Sequence, residues 1–189
     1  PGLRIWTSNN QVLGNYVGLN ATGASALPNT NGITFAGSGT GNTVGGSSPG
    51  SRNVVAGNSG AGILVMSPAN HIAGNYIGTD PTGLSAVPNA LGIRIESTAG
   101  NVIGGSQPGE GNVISGNTNQ GVYLLKSSGG ASVTGTTITG NIIGVGVDGI
   151  TAVGNKTVGI GIADTASSNN QIVANVIANN LGPCPCQKR

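Results

Sequence analysis

Arg94 and Glu96 stand two residues apart in a run that alternates apolar and polar side chains. On an extended strand, residues two apart leave the same side, so the guanidinium and the carboxylate share one face. Tyr123 and Lys126 occupy the matching stretch of the next such run, and Asp164 that of the run after it. If the runs stack in register, neighbours lie about 4.8 Å apart, and these five residues form one cluster across three turns. Its chemistry suits a polysaccharide. Trp6 or Tyr123 would stack on a sugar ring, and Arg94 or Lys126 would bind a uronate carboxylate. A lyase would take Lys126 or Arg94 as its base. A hydrolase needs paired carboxylates, and Glu96 with Asp164 is the pair on offer. The plainer alternative is an exposed strand face on which Arg94, Glu96 and Lys126 make ordinary surface ion pairs.

The runs that would position this cluster recur at a fixed interval. Gly2-Leu3, Gly32-Ile33, Gly62-Ile63 and Gly92-Ile93 each follow the last by 30 residues, with looser echoes at Gly121-Val122 and Gly159-Ile160. A period of that size signals stacked repeats. Within the runs the inward pairs are Leu3 and Ile5, Ile33 and Phe35, Ile63 and Val65, Ile93 and Ile95, Val122 and Leu124, and Ile160 and Ile162. All are large and apolar, and each contributes roughly 1.5–3 kcal/mol when fully buried. The outward positions are mixed: Arg4, Thr34, Leu64, Arg94, Tyr123 and Gly161, then Trp6, Ala36, Met66, Glu96, Leu125 and Ala163. A contiguous apolar stripe there, through Trp6, Leu64, Met66 and Leu125, would equally suit self-association.

A second block completes each turn. Asn10-Gln-Val-Leu-Gly-Asn-Tyr-Val-Gly18 returns as Asn70-His-Ile-Ala-Gly-Asn-Tyr-Ile-Gly78, and in altered form around Gly140-Asn-Ile-Ile-Gly144. The turns between carry Asn42-Thr-Val-Gly-Gly46 with Asn53-Val-Val-Ala-Gly-Asn58, echoed by Asn101-Val-Ile-Gly-Gly105 with Asn112-Val-Ile-Ser-Gly-Asn117. Two kinds of turn therefore alternate. Gly and Asn at the joints tolerate the left-handed backbone of tight bends. Asn at matching corners, such as Asn58 and Asn117, is expected to stack in hydrogen-bonded ladders. No long segment has a helical apolar period, so three short strands per turn describe a parallel β-helix of about six turns.

These motifs, Asn-x-Ile-x-Gly-Asn-Tyr-Ile-Gly-Thr-Asp-x-Thr-Gly and Asn-Val-Ile-Ser-Gly-Asn, resemble the right-handed parallel β-helix repeats of large secreted and cell-surface bacterial proteins. The architecture is shared with the pectate-lyase-like superfamily. The resemblance spans residues 1–181 and implies an all-β, right-handed parallel β-helix; residues 182–189 read as a non-repeat tail. It is specific for fold rather than activity, because the architecture hosts lyases, hydrolases, esterases and stalks. The function expected is a structural or adhesive module of a secreted or surface bacterial protein that contacts carbohydrate through its outward strand face. A carbohydrate-active enzyme, lyase or hydrolase, is the alternative, and a self-assembling fibre segment is the second. Self-association would use open ends or the apolar outward stripe, on the expectation that the chain is a piece of a longer solenoid.

Composition narrows the field. Charged residues make up 6% of the chain, and seven Lys and Arg face five Asp and Glu. Lys188 and Arg189 account for the net +2, so there is no basic patch for nucleic acid. No apolar run is long enough to span a membrane, and no charged-then-apolar leader opens the sequence. The resemblance would admit Ca²⁺, yet calcium-dependent lyases of this architecture cluster acidic ligands and no such cluster is visible, so no metal or other cofactor is expected. Cys184 and Cys186 supply two thiols without a third ligand nearby. Gly46-Ser47-Ser48-Pro49-Gly50 fits a serine-hydrolase pattern, but its counterpart carries Gln107 at the serine position, so it reads as a turn. Gly144-x-Gly146-x-x-Gly149 precedes no helix, and Gly146-x-Asp148-x-Ile150 is a single copy of a pattern that binds calcium only in series. His71 matches Gln11 and reads as a polar outward residue.

Overall fold

In a computed structural model, described for residues 1–163 and 165–182, the chain winds through six coils of three strands each. The first coil holds β1 (Leu3–Ile5), β2 (Gln11–Val12) and β3 (Tyr16–Val17), and the second β4 (Ile33–Phe35), β5 (Thr43–Gly45) and β6 (Val54–Val55). The third holds β7 (Ala61–Val65), β8 (His71–Ala73) and β9 (Tyr76–Ile77), and the fourth β10 (Leu91–Glu96), β11 (Val102–Gly104) and β12 (Val113–Ile114). The fifth holds β13 (Val122–Leu125), β14 (Thr137–Thr139) and β15 (Ile142–Ile143), and the sixth β16 (Ile160–Ile162), β17 (Gln171–Val173) and β18 (Val176–Ile177). Like strands pair in parallel along the stack, giving three six-stranded sheets. The first contains β1, β4, β7, β10, β13 and β16; the second runs from β2 to β17 and the third from β3 to β18.

The register follows the sequence repeat. Leu3 pairs with Ile33, Ile33 with Ile63, Ile63 with Ile93, Ile93 with Val122 and Val122 with Ile160. Inside the tube, Ile33, Phe35, Ile63, Val65, Ile93, Ile95, Val122 and Leu124 are sealed from solvent. Val44, Ile72, Ile103 and Ile138 from the second sheet and Val55, Ile77, Ile114 and Ile143 from the third close the same core. The expectation of a uniformly buried first-sheet wall fails at its two ends. Leu3 is 37% and Ile162 45% exposed, because an end coil has a packing neighbour on one side only.

Asparagine ladders run along all three corners. Asn10, Asn42, Asn70 and Asn101 line the first, Asn15, Asn53, Asn75, Asn112, Asn141 and Asn175 the second, and Asn29, Asn58, Asn89, Asn117, Asn155 and Asn180 the third. The repeating unit is clear at Asn75. Its Oδ1 accepts from both the backbone N–H and the Nδ2 of Asn53, at 3.1 and 2.9 Å. Its Nδ2 donates onward to Asn112 Oδ1 at 3.0 Å and to the Val44 carbonyl at 2.9 Å. Each side chain thus satisfies polar groups that a tight buried corner would otherwise strand. At the first corner Thr136 takes the asparagine position, and its buried hydroxyl has no partner. Glycine makes these corners possible: Gly78 has φ of +90°, and a Cβ there would press on the Ser115 carbonyl and the Asn117 amide.

Two kinds of excursion leave the coils. Odd coils extend small antiparallel hairpins after the third sheet, bridged at Leu19–Ala26, Thr79–Ala86 and Val145–Ala152. Asn20 and Asp80 anchor the first two by accepting backbone N–H groups four and five residues on. Asp148 anchors the third, which has the same length, from two residues later, by accepting the N–H groups of Ile150 and Thr151, and sequence comparison of the first two loops does not reveal it. The second and fourth coils instead lengthen the corner between the second and third sheets. One of these corner loops forms a 3₁₀ turn, Pro49–Ser51, confirming the turn reading of the serine motif. The Nε2 of His71 donates to the Gly104 carbonyl at 2.6 Å, a structural bond between adjacent coils. Among the described residues no helix is long and apolar enough to cross a membrane.

Asn75→Ala would orphan the buried backbone N–H of Asn53 and remove the ladder bonds from Asn53 Nδ2 and to Asn112 Oδ1. At about 1–3 kcal/mol per stranded group, it is expected to cost about 3 kcal/mol or more in urea unfolding. Asn15→Ala, at an exposed ladder end, should cost about 1 kcal/mol. The hydroxyl of Thr151, with the N–H groups of Ile150 and Thr151, holds the Asp148 carboxyl below the usual carboxylate range. Its stabilising effect is therefore present above the unfolded-state pKa and is lost as pH falls through the lowered folded-state pKa. Thr151→Val should move the Asp148 titration, followed by carboxyl NMR, back up; an unmoved titration would show that the hydroxyl is not the cause.

Candidate functional site

The outward face of the first sheet is built by β10 and its neighbours. With Ile93 and Ile95 fixed in the core, alternation leaves Arg94 and Glu96 no choice but to face out. Arg94 lies beside Leu64 on one side and Tyr123 on the other, and Glu96 beside Leu125. Arg94 Nη2 meets Glu96 Oε2 at 3.0 Å, with the side chains 35% and 16% exposed. Among the described residues this is the one ion pair. Arg94 Nε is buried without a hydrogen-bond partner.

Lys126 follows directly after β13 and is exposed. With Tyr123, Leu125, Ser128 and Thr165 it lines a shallow groove of about 480 Å³. The floor of that groove is tied to the preceding coil, since Ser127 N–H donates to Ser97 Oγ at 2.9 Å and the two hydroxyls lie 2.8 Å apart. The structure therefore brings Arg94, Glu96, Tyr123 and Lys126 onto one patch. Asp164 lies outside the described residues, as do Cys184 and Cys186.

Trp6 is not part of this patch. It is 59% exposed at the opposite end of the sheet, and the Arg4 guanidinium sits 4.6 Å from its ring centre. From Arg4 the register passes through Thr34 and Leu64 before reaching Arg94, three strand spacings or about 14 Å. The expected apolar stripe is also interrupted. Leu64, Met66 and Leu125 are half-buried by their neighbours, and Thr34 and Ala36 are closed to solvent.

Chemically the patch offers an aromatic ring, a free ammonium and a guanidinium whose charge is already met by a carboxylate. Glu96 is engaged by Arg94 at 3.0 Å, and the carboxylate expected to pair with it in a hydrolase, Asp164, lies outside the described residues. No three His, Cys, Asp or Glu side chains converge anywhere among those residues.

One pairing escaped sequence reasoning altogether. The Arg52 guanidinium stacks 4.2 Å from the ring centre of Tyr76 on the outer face of the third sheet. The available signal was the Tyr of the recurring Gly-Asn-Tyr block, which falls at an outward strand position in both Tyr16 and Tyr76.

Comparison with known proteins gives a fold and no closer kinship. No protein family matches the chain, and no curated protein does either. Among solved structures, the periplasmic alginate epimerase AlgG superposes with a TM-score of 0.64 at 16% identity, over 94% of this chain and 36% of that one. A double mutant of the same enzyme gives 0.64 at 18% identity, over 93% and 36%. The chain thus spans little more than a third of the length of these neighbours. The three parallel sheets and this likeness define the chain as a right-handed parallel β-helix.

A pair at the strand face such as Arg94–Glu96, still partly open to solvent, contributes about 1 kcal/mol. Glu96→Gln is accordingly expected to unfold within about 1 kcal/mol of the parent on thermal denaturation. A larger loss would show that the pair holds the strand face together rather than lying on it.

Proposed function

We propose that this β-helix is a rigid module of a secreted or surface-exposed bacterial protein that contacts acidic polysaccharide through the outward face of its first sheet. The observation that carries the reading is the groove bearing Tyr123 and Lys126 beside the fixed Arg94–Glu96 pair. Tyr123 gives a sugar ring a flat apolar partner, and Lys126 gives a uronate carboxylate an unpaired cation. Arg94, held in place by Glu96, supplies further N–H donors without moving. The likeness to structures named as a periplasmic alginate epimerase supports a polyuronate as the ligand class and a site of action outside the cytoplasm. Rigidity comes from the three asparagine ladders, which suits a scaffold as well as a binding surface. Trp6, with Arg4 over its ring, offers a second stacking point on the same face.

The same likeness favours, as a second reading, a polysaccharide-modifying enzyme with Lys126 or Arg94 as base. One experiment separates the two. Retention on immobilised polyuronates and neutral glycans is measured alongside unsaturated products, reducing ends and uronate epimer content. Binding without turnover, weakened about tenfold by Tyr123→Ala or Lys126→Gln (about 1.4 kcal/mol), is the expected result. Turnover abolished by Lys126→Gln or Glu96→Gln would replace the module with an enzyme. Retention unchanged in both groove variants would remove the first-sheet face as the contact.

A further inference from the structure

The outer face of the third sheet is apolar from end to end, in the register Tyr16, Val54, Tyr76, Val113, Ile142 and Val176. The alternation of coil types walls this face on both sides. Hairpins of the odd coils fold over one flank, where the Val147 N–H donates to the Gly83 carbonyl at 3.1 Å. Long corner loops of the second and fourth coils rise on the other, and the Gly74 N–H ties the 105–111 loop down through the Glu110 carbonyl at 2.8 Å. Between the walls runs a trough of about 540 Å³, open over Ile142 and Val147, flanked by Gln107, with the nearly covered Tyr76 and Val113 beneath it. Sites for small ligands commonly have volumes of about 300–1,000 Å³.

Arg52 stands at one end of this trough. Its plane is set by the Tyr76 ring at 4.2 Å, and its Nε donates to the Gly74 carbonyl at 3.2 Å. Among the described residues no acceptor takes its terminal nitrogens and no carboxylate pairs with it. The nearby Glu110 carboxylate instead accepts the Gln107 N–H at 3.0 Å within its own loop. A half-buried guanidinium, oriented by two contacts and left with its bidentate edge free, matches a planar carboxylate. A peptide strand cannot add here, because the floor is a sheet face whose backbone groups already pair along the stack. The occupant must bind through flat apolar surface plus one anionic group. We propose that the trough over the third sheet is a second binding site, for a hexuronate sugar, with its C–H face on Ile142 and Val147 and its carboxylate on Arg52.

The site is independent of the first-sheet groove, and backbone amide NMR tells the two apart. The probe is trigalacturonate, with its fully methyl-esterified form as the uncharged control. Shifts in the amides of 105–111 and Val147 that saturate with the acid, and weaken at least tenfold with the ester, are expected. Arg52→Gln should weaken the acid response at least tenfold, whereas Lys126→Gln should leave it within twofold. Val147→Glu, which adds a charge on an exposed wall and keeps the guanidinium, should also weaken it. Shifts confined to 123–129 would overturn the trough and leave the first-sheet reading standing, and no shifts at either place would overturn both. An ester response equal to that of the acid, or an undiminished response in Arg52→Gln, would overturn the role of the carboxylate.

Discussion

Every surface of this molecule depends on one coil stacking on the next in an unslipped register. A tube of parallel coils buries apolar side chains without difficulty, but its three tight corners bury backbone amides that have no strand partner. The asparagine ladders resolve that conflict. One side chain accepts from the backbone and side-chain N–H groups of the preceding coil while donating to the following one, as at Asn53, Asn75 and Asn112. Because each link needs its partner at matching height, the ladders hold the register as well as the corners. A shift of one residue would break all three ladders and turn core isoleucines outward together.

With register held, strand alternation decides what each face offers. On the first sheet, Ile93 and Ile95 in the core place Arg94 and Glu96 outside, and the neighbouring coil brings Tyr123 and Lys126 alongside. On the third sheet the outward positions are apolar too, so the hairpins and corner loops fold over them and form a second, smaller cluster around Val54, Tyr76 and Val113. The alternation of two coil types places hairpins along one edge of that sheet and long corners along the other. The trough results from that alternation, and so does the fixed stacking of Arg52 on Tyr76.

Much of the fold was legible because its determinants are local and repeated. The 30-residue interval, the inward apolar pairs and the corner asparagines each follow from residue type and spacing, and the ladders at Asn58 and Asn117 follow from the same corners. The candidate patch was legible to the extent that register alone places residues, which is why Arg94, Glu96 and Tyr123 come together. Trp6 was not, since membership of a face says nothing of the distance along it. The third hairpin has the same length as the other two but was hidden by its residue types, because its anchoring carboxylate, Asp148, stands at the place of Thr22 and Thr82, two residues after that of Asn20 and Asp80.

By itself, then, the sequence determined the coil, its period, its core and its polar corners, since these rest on short-range periodicity and the backbone needs of tight bends. Only the tertiary structure decided which outward side chains meet. The Arg94–Glu96 pair, the Tyr123–Lys126 groove and the Arg52–Tyr76 stack depend on how far long side chains reach and how loops of unequal length fold back. Spacing in a sequence carries no record of either.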